Sequence, residues 1–225
     1  MKGELLMKKF LVALAMLATF LTSSIAMAAY EETIEEDADL RTIKTMAVGM
    51  PDYFKMEEAE PSIEELTKMI YATGRDYSSH DIISYEDVAA SIRRDTGIDI
   101  YGLEALDAER IFNANISKYA DTYMITTVAN NSGKPWLFFY VYNAADSQLL
   151  YTYSVQSNTI GKNAKDYRKA AESFYKQFDQ TSEKNLSKED KKNMQAKREA
   201  KAAKRRVKKV EYKTGQSKAD LVKKK

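Results

Sequence analysis

The sequence predicts a single α/β sandwich in which helices pack on a mixed sheet of about five strands, in the order β-α-β-α-(α)-β-β-β-α. Two strand-like segments are each followed by a helix-capping signature, and three later segments alternate with a period of two. The second of these three, residues 135–143, is apolar on both faces, which indicates a central strand covered by helices on both sides. We therefore expect one α/β domain at residues 41–182.

The first half of this domain predicts two strand–helix units. Residues 42–49 favour a strand, and after an acidic loop a Ser-x-x-Glu capping box opens a helix over residues 62–75. Residues 80–84 favour a second strand, and a Ser-x-x-Asp signature opens a helix over residues 84–97 that ends at a glycine. A third helix is expected over residues 106–118, where apolar side chains recur at helical spacing.

The second half predicts an antiparallel meander and a final helix. Residues 123–129, 135–143 and 148–156 are rich in aromatic and β-branched side chains. The connections between them are short enough for hairpins. The final helix begins near Asn163, and its apolar stripe consists of Tyr167, Ala170, Ala171, Phe174 and Phe178.

The N-terminus predicts export. Two lysines, Lys8 and Lys9, precede a short apolar run that leads to a small-residue cleavage site ending at Ala28. This pattern is typical of a secretory signal peptide, here over residues 1–28. The apolar run is about a dozen residues, short of the roughly 20 that a membrane-spanning helix needs. We expect a periplasmic or secreted protein that is not transmembrane.

Residues 29–40 and the absence of cysteine further limit the kind of exported protein that this chain can be. Residues 29–40 are acidic with few apolar side chains, so we predict a disordered leader. The chain has no cysteine, which excludes disulfides, thiolate metal sites and the lipid attachment of bacterial lipoproteins.

Charge divides the chain into an acidic body and a basic tail, residues 183–225. Residues 29–183 hold 15 basic and 27 acidic groups, whereas residues 184–225 hold 17 basic and 5 acidic groups. The tail is a candidate tether to anionic lipid, lipopolysaccharide or peptidoglycan, whereas nucleic acid is not expected outside the cytoplasm. A solubilising extension, or contact of the tail with the acidic body, is the alternative. The candidate tether residues are Lys197, Arg198, Lys201, Lys204, Arg205, Arg206, Lys208 and Lys209.

The sequence offers no motif for catalysis, metal binding or cofactor binding. His80 is the only histidine, whereas a general base needs a partner in reach and a histidine metal site normally needs a second imidazole. We interpret His80 as a satisfied loop or strand-start residue, and a single pH-sensitive contact beside Asp81 is the alternative. Two carboxylate runs, at residues 31–37 and 57–65, lack the glycine and the spacing of a calcium loop. Neither a Gly-x-Ser-x-Gly turn nor a phosphate loop occurs. We predict no enzyme activity, no catalytic or metal-binding residue and no cofactor.

Tyrosine is unusually frequent, with 15 residues in the chain. The simplest interpretation is a set of half-buried sheet residues whose hydroxyls reach water. The alternative is a recognition face, because aromatic side chains provide large contact area at low entropic cost. The candidate binding face consists of Trp136, Phe138, Tyr140, Tyr142, Tyr151 and Tyr153.

Four segments carry a resemblance to a family of envelope proteins. They are residues 43–48, 80–88, 119–128 and 141–150. In this order they resemble the CsgG/TolB-amino-terminal superfamily, which includes the curli-secretion lipoprotein and lipoprotein activators of penicillin-binding proteins. The likeness spans most of the domain and implies its α/β fold and a non-catalytic action by docking.

The chain departs from the family at several points. It has no lipidation cysteine, and Tyr119 and Thr127 occupy positions where the family often has glycine. No long insertion is present that would form a membrane hairpin. We therefore expect a periplasmic, non-enzymatic accessory protein that docks on cell-wall or outer-membrane machinery. The alternatives are a secreted binding module for an anionic glycan such as peptidoglycan and a component of an envelope secretion assembly.

Overall fold

The computed structural model describes residues 30–55, 58, 60–131, 134–156, 164–184, 189, 192–197 and 199–204. The predicted signal peptide, residues 1–28, lies outside the described residues, as does the tail from residue 205 onward.

The described elements form one open six-stranded sheet with helices packed on it. The strand order is β1-β6-β5-β4-β2-β3. The α/β class and the mixed sheet are confirmed, with one strand more than the five predicted. In chain order the elements are β1 (Tyr30–Ile34), β2 (Thr45–Val48), α1 (Ile63–Tyr77), β3 (Asp81–Ile83), α2 (Tyr85–Thr96), α3 (Ala105–Asn115), β4 (Thr122–Asn131), β5 (Lys134–Asn143), β6 (Leu149–Gln156) and α4 (Ala164–Glu183).

The sheet combines a parallel half with an antiparallel half. Strand β2 pairs in parallel with β3 and with β4, because the connections between these strands contain helices. Strands β4, β5 and β6 form the predicted antiparallel meander, joined by short connections. Strand β1 extends this half at its outer edge.

The sixth strand comes from the segment that we predicted to be disordered, and this prediction was wrong. Residues 30–34 pair antiparallel with residues 151–155 of β6. On one side of β1 the ring of Tyr30 stacks on that of Tyr153, 5.4 Å between centroids. The carboxylate of Glu32 accepts hydrogen bonds from Tyr151 and Thr181, both at 3.0 Å. Pairing with an existing strand supplies the backbone hydrogen bonds that an isolated acidic segment lacks.

The predicted helix signals are found where the sequence places them. The Ser62 N–H donates to Glu65 Oε2 at 2.8 Å and the Glu65 N–H donates to Ser62 Oγ at 3.2 Å, which is a complete capping box. Ser84 caps α2 with its hydroxyl, which accepts from the Asp87 N–H at 3.0 Å and donates to Asp87 Oδ2 at 2.7 Å. Gly97 ends this helix with a left-handed φ of 77°. The first helix continues through Gly74 to Tyr77, two residues beyond the predicted end.

Helices cover the two faces of the sheet unequally. Helices α1 and α4 pack on one face, where Ile70 and Phe174 join Phe139 and Tyr151 in a large core that spans β2, β4, β5 and β6. Helices α2 and α3 pack on the other face, and their core includes Tyr123 of β4. Among the described residues, this second core reaches β5 only at Tyr142 and leaves most of the antiparallel half outside it.

Candidate functional site

The uncovered part of the sheet carries a row of three aromatic side chains along β5. Trp136, Phe138 and Tyr140 alternate with the buried residues of the strand, are half-buried and belong to neither core. Their ring centroids are 6.1 Å and 6.3 Å apart, and neighbouring rings are within 19° and 9° of parallel. We call these three residues the aromatic ladder. Of the predicted binding face, these are the members that lie outside both cores.

Tyr142, the fourth β5 member of the predicted face, lies where the ladder meets the second core. Its ring stacks on Tyr123 at 5.2 Å, so it is held by the helix-covered region. It bounds the ladder at this end.

Tyr151 and Tyr153 were predicted to belong to the same face, and this was wrong. The register pairs them with Val141 and Phe139, so they point to the opposite side of the sheet, where both are fully buried under α4. The hydroxyl of Tyr153 lies 2.6 Å from Ser173 Oγ. Burial raises the pKa of both tyrosines above its ordinary value.

Strand pairing places carboxylates on both sides of the ladder. Phe138 pairs with Thr127 on one side, and Thr127 is bridged to Asp52 of the loop after β2. On the other side Phe138 pairs with Ser154, which pairs with Glu31 of β1. Directly paired residues project from the same face of a sheet, so these five form one row across it.

The row has an apolar centre and negative ends. Asp52 and Glu31 are both exposed. Each is two strands from Phe138, which is about 10 Å at the usual strand spacing. The two neighbouring rows run through Tyr140 and Trp136. Their partners on β4 and β6 are uncharged, namely Ile125, Ala129, Thr152 and Gln156. No local pattern predicts this arrangement, because one acid comes from the loop after β2 and the other from the segment expected to be a disordered leader.

His80 belongs to a buried network at the corner where α1 leads into β3. Its Nδ1 lies 2.9 Å from Asp179 Oδ1, and both side chains are at most 2% exposed. Ser78 Oγ and the Ser79 N–H donate to the same carboxylate at 2.9 Å and 2.7 Å. The ring of Phe178 covers the imidazole at 5.1 Å. The interpretation of His80 as a satisfied residue at a strand start is confirmed.

The described part of the tail contacts this same corner. Residues 192–197 and 199–204 are helical, and Lys201 Nζ donates to the carbonyls of Ser78 and His80 at 2.6 Å and 3.2 Å. Burial lowers the pKa of Lys201, although nearby Asp81 and Asp179 oppose the shift. Its assignment to a tether is therefore corrected, since its amine is engaged by the body.

The other predicted tether residues divide into two groups. Lys197 and Lys204 are exposed. The remaining residues, Arg198, Arg205, Arg206, Lys208 and Lys209, lie outside the described residues.

Neither a metal-binding cluster nor a membrane-spanning helix is found among the described residues. Within those ranges no group of three or more His, Cys, Asp or Glu side chains is placed to hold a metal ion. Within the same ranges no helix combines the length and the apolar character needed to cross a bilayer.

Several known structures match this chain at low similarity. The PelC dodecamer from Paraburkholderia phytofirmans is 9% identical, covers 68% of this chain and 98% of that chain, and has a TM-score of 0.39. Lipoprotein GNA1162 from Neisseria meningitidis is 12% identical, covers 50% and 78%, and has a TM-score of 0.35. The LpoB C-terminal domain from Salmonella enterica is 10% identical, covers 54% and 84%, and has a TM-score of 0.33.

These similarities carry no argument about function, because every TM-score is below 0.5. No protein-family model matches the chain, and no curated protein matches it either. The resemblance to the CsgG/TolB-amino-terminal superfamily therefore stays a prediction.

Proposed function

We propose that this protein is an exported, non-enzymatic adaptor of the bacterial cell envelope that docks on another envelope protein through the aromatic ladder. The observation that carries the proposal is the ladder itself, three half-exposed aromatic side chains on the part of the sheet that the second helical core leaves uncovered. The signal-peptide pattern at the N-terminus supplies the envelope location.

The ladder has the properties of a protein-binding surface. Tryptophan and tyrosine are the residues most enriched at energetically dominant positions of interfaces, and the ladder contains one of each. Its backbone is hydrogen-bonded to β4 and β6 on either side, so binding would cost little conformational entropy of the backbone. A contiguous apolar surface that a monomer leaves uncovered is typical of an interaction site.

The buried polar network supports a structural role rather than catalysis. Ser78, His80 and Asp179 bring the residue types of a hydrolase triad together in one buried cluster. Ser78 Oγ donates to Asp179 Oδ1 instead of lying at the imidazole Nε2, and the carboxylate also accepts a backbone N–H. In hydrolases the serine contacts the imidazole nitrogen that the carboxylate leaves free. These contacts connect α4 to the start of β3, which favours a structural role for the network.

The charges beside the ladder favour a protein partner over an anionic glycan. Glu31 and Asp52 flank the ladder on both sides. Both carboxylates would repel peptidoglycan carboxylates or lipopolysaccharide phosphates at close range. They would attract a partner with basic residues around an apolar centre.

Site-specific crosslinking in the native host tests the proposal. A photoreactive amino acid at Thr152, beside Tyr140, is expected to capture one protein partner. The double variant W136A/F138A is expected to reduce the captured product at least tenfold, as loss of an interface hot spot does. The control is L106S, because Leu106 lies in α3, outside the ladder, and is 81% exposed.

Each outcome has a defined consequence. Equal capture by the double variant and the wild type would show that the ladder is not the docking surface. Ladder-dependent binding to purified peptidoglycan, with no protein product, would replace the protein partner with a glycan. Circular dichroism of both variants establishes that any loss is not a loss of folding.

A further inference from the structure

We propose that the outer edge of β1 is a second docking site, which a partner protein fills with an extended segment that alternates basic and apolar residues. Such a segment would pair with β1 and add one strand to the six-stranded sheet. This inference goes beyond the function proposed above and does not depend on the aromatic ladder. It follows from the backbone groups, the charges and the side chains of β1.

The register of β1 determines which of its backbone groups face outward. The Glu35 N–H donates to the Leu150 carbonyl at 3.1 Å, which continues the register of β1 with β6. Hydrogen-bonded positions alternate along an antiparallel pair, so the backbone groups of Glu31 and Thr33 also face β6. The backbone groups of the intervening residues point away from the sheet, and these residues are Tyr30, Glu32 and Ile34. Among the described residues, no hydrogen bond reaches these outward groups.

Charge is the means by which β1 avoids unwanted pairing. Natural edge strands are protected by being very short, by proline, by a bulge or by charged side chains. Strand β1 has five residues without proline, and its register with β6 is regular. Its protection is therefore negative charge, which excludes acidic strands and leaves the edge open to basic ones.

The opposite edge of the sheet is protected differently. Strand β3 has only three residues. Immediately before it, Lys201 Nζ donates to the carbonyls of Ser78 and His80 at 2.6 Å and 3.2 Å. A strand of this length offers few hydrogen bonds to an added chain. Of the two edges, β1 is the one suited to pairing with a partner.

The charges at β1 favour a basic segment over a second copy of this chain. Residues 29–40 contain six acidic and no basic side chains. Two copies of β1 would bring their glutamates side by side, and like charges in cross-strand contact destabilise a strand pair. Two basic side chains near this edge, Lys184 and Arg41, lie 3.8 Å and 2.7 Å from the carboxylates of Glu32 and Asp39. The exposed Glu31 lies on the ladder face of the same strand.

The side chains of β1 predict an alternating partner. Tyr30 and Ile34 are on the α4 side and are 39% and 45% exposed. Ile34 also lines a cavity of about 230 Å³, together with Ala38, Asp39, Leu40, Arg41 and Thr181. Paired residues project from the same face, so a partner residue opposite Ile34 would lie beside this cavity. A partner residue opposite Glu31 would lie beside its carboxylate. The partner strand is therefore apolar toward α4 and basic on the ladder face.

Hydrogen exchange of single backbone amides, followed by NMR, tests the pairing in the mature protein. The probe is a short synthetic peptide in which lysine and valine alternate. Without the peptide, the amides of Glu32 and Ile34 should exchange rapidly, whereas that of Thr33 should exchange slowly. The peptide should slow the amides of Glu32 and Ile34 about tenfold or more and leave that of Thr33 unchanged. Protection of Glu32 and Ile34 without peptide would show that the tail or a second copy already covers the edge, and would overturn the proposal.

Matched peptides separate strand pairing from charge attraction. N-methylation removes a backbone donor and adds bulk on one edge of an extended peptide, while the side chains and their charges stay. One peptide is methylated at its lysines and the other at its valines. Only one edge of the peptide pairs with β1, so one of these peptides should lose binding and the other should keep it. Equal affinities of the two would overturn the proposal, as would equal binding of a peptide with glutamate in place of lysine.

Variants of the protein locate the site. The Ile34 N–H faces outward, so I34P should block the added strand and leave the bonds between β1 and β6 intact. I34A removes the same side chain but keeps the N–H. The peptide should bind I34P at least about tenfold more weakly than I34A. Equal affinities would contradict pairing at this edge.

The ladder variant separates this site from the proposed function. W136A/F138A should bind the peptide as the wild type does, and I34P should keep the ladder-dependent crosslink. Loss of peptide binding in W136A/F138A would assign the peptide to the ladder and reject the edge site. Loss of the crosslink in W136A/F138A alone leaves both proposals standing, whereas a crosslink that persists there rejects docking by the ladder and leaves the edge site untouched.

Discussion

The two faces of β5 use neighbouring aromatic residues for different purposes. Phe139 is fully buried, and its ring stacks on Phe174 of α4 at 4.6 Å. Phe138, one residue earlier, is half-buried between Trp136 and Tyr140 on the face that the second core leaves uncovered. Because side chains alternate along a strand, one step in sequence separates a residue that stabilises the fold from one that is available to a partner.

The same division extends to β1. Glu32 points toward α4 and accepts hydrogen bonds from buried tyrosine and threonine hydroxyls. Glu31 lies at the exposed end of the row through Phe138. Substitutions on the α4 face should therefore lower stability, whereas those on the ladder face should change binding and leave stability nearly intact.

The matched pair F139A and F138A gives the largest expected difference. F139A removes a fully buried ring and should lower the free energy of unfolding by about 3–5 kcal/mol. F138A removes a half-exposed ring and should lower it by less than about 1.5 kcal/mol. Urea denaturation followed by circular dichroism measures both. Equal losses would show that the ladder face is as much a part of the core as the α4 face.

A smaller effect is expected at Gly74, where α1 crosses α4. A methyl group there would overlap the ring of Tyr175 and lie 2.6 Å from its hydroxyl oxygen. Tyr175 is fully buried and its ring packs against Phe174 at 4.9 Å, so a shift of the ring would disturb the core. Glycine to alanine inside a helix normally stabilises by about 0.5–1 kcal/mol. Here G74A should instead lower the free energy of unfolding by roughly 1–3 kcal/mol.

The control for this prediction is G102A. A methyl group at Gly102 would meet no atom within 4 Å. Its effect on the midpoint of urea denaturation should stay within about 0.5 kcal/mol. A stabilising G74A would mean that α1 and α4 are farther apart than described.

Local patterns predicted the parts of the fold that depend on local physics. The capping box at Ser62, the N-cap at Ser84, the left-handed Gly97 and the meander all follow from contacts within a few residues. The elements that the sequence did not predict depend on tertiary pairing. Strand β1 gains its hydrogen bonds from β6, about 120 residues away, as the pair Tyr30–Val155 shows.

The candidate site was predicted in part for the same reason. The alternation of β5 predicted that Trp136, Phe138 and Tyr140 share one face, and the structure places their rings in one row. Their role in binding stays a prediction. Tyr151 and Tyr153 alternate just as regularly, but the side on which they lie depends on the register with β5, which shifts between Val141 and Tyr142. The contact of Lys201 with the corner at Ser78 has no local signal at all.

The smallest expected effect depends on pH and tests the attachment of β1. Burial alone would raise the pKa of Glu32, but its other interactions outweigh burial, and the pKa lies below its ordinary value of 4.5. These interactions are hydrogen bonds from Gln177, Tyr151 and Thr181 and the attraction of Lys184. A carboxyl whose pKa is lower in the folded state stabilises the fold above its unfolded pKa. This contribution is lost as the pH falls from about 4.5 through the folded pKa.

The variant E32Q should therefore be less stable than the wild type at pH 6, and the difference should shrink toward pH 3. Urea denaturation at both pH values measures it. E31Q is the matched control on the exposed side of the same strand, and it should change stability by less than about 0.5 kcal/mol at pH 6. If E32Q lowered the free energy of unfolding equally at both pH values, the stabilisation would come from packing of the side chain and not from its charge. Equal losses in E31Q and E32Q would contradict the division of β1 between a core face and a binding face, because both carboxylates would then serve the fold.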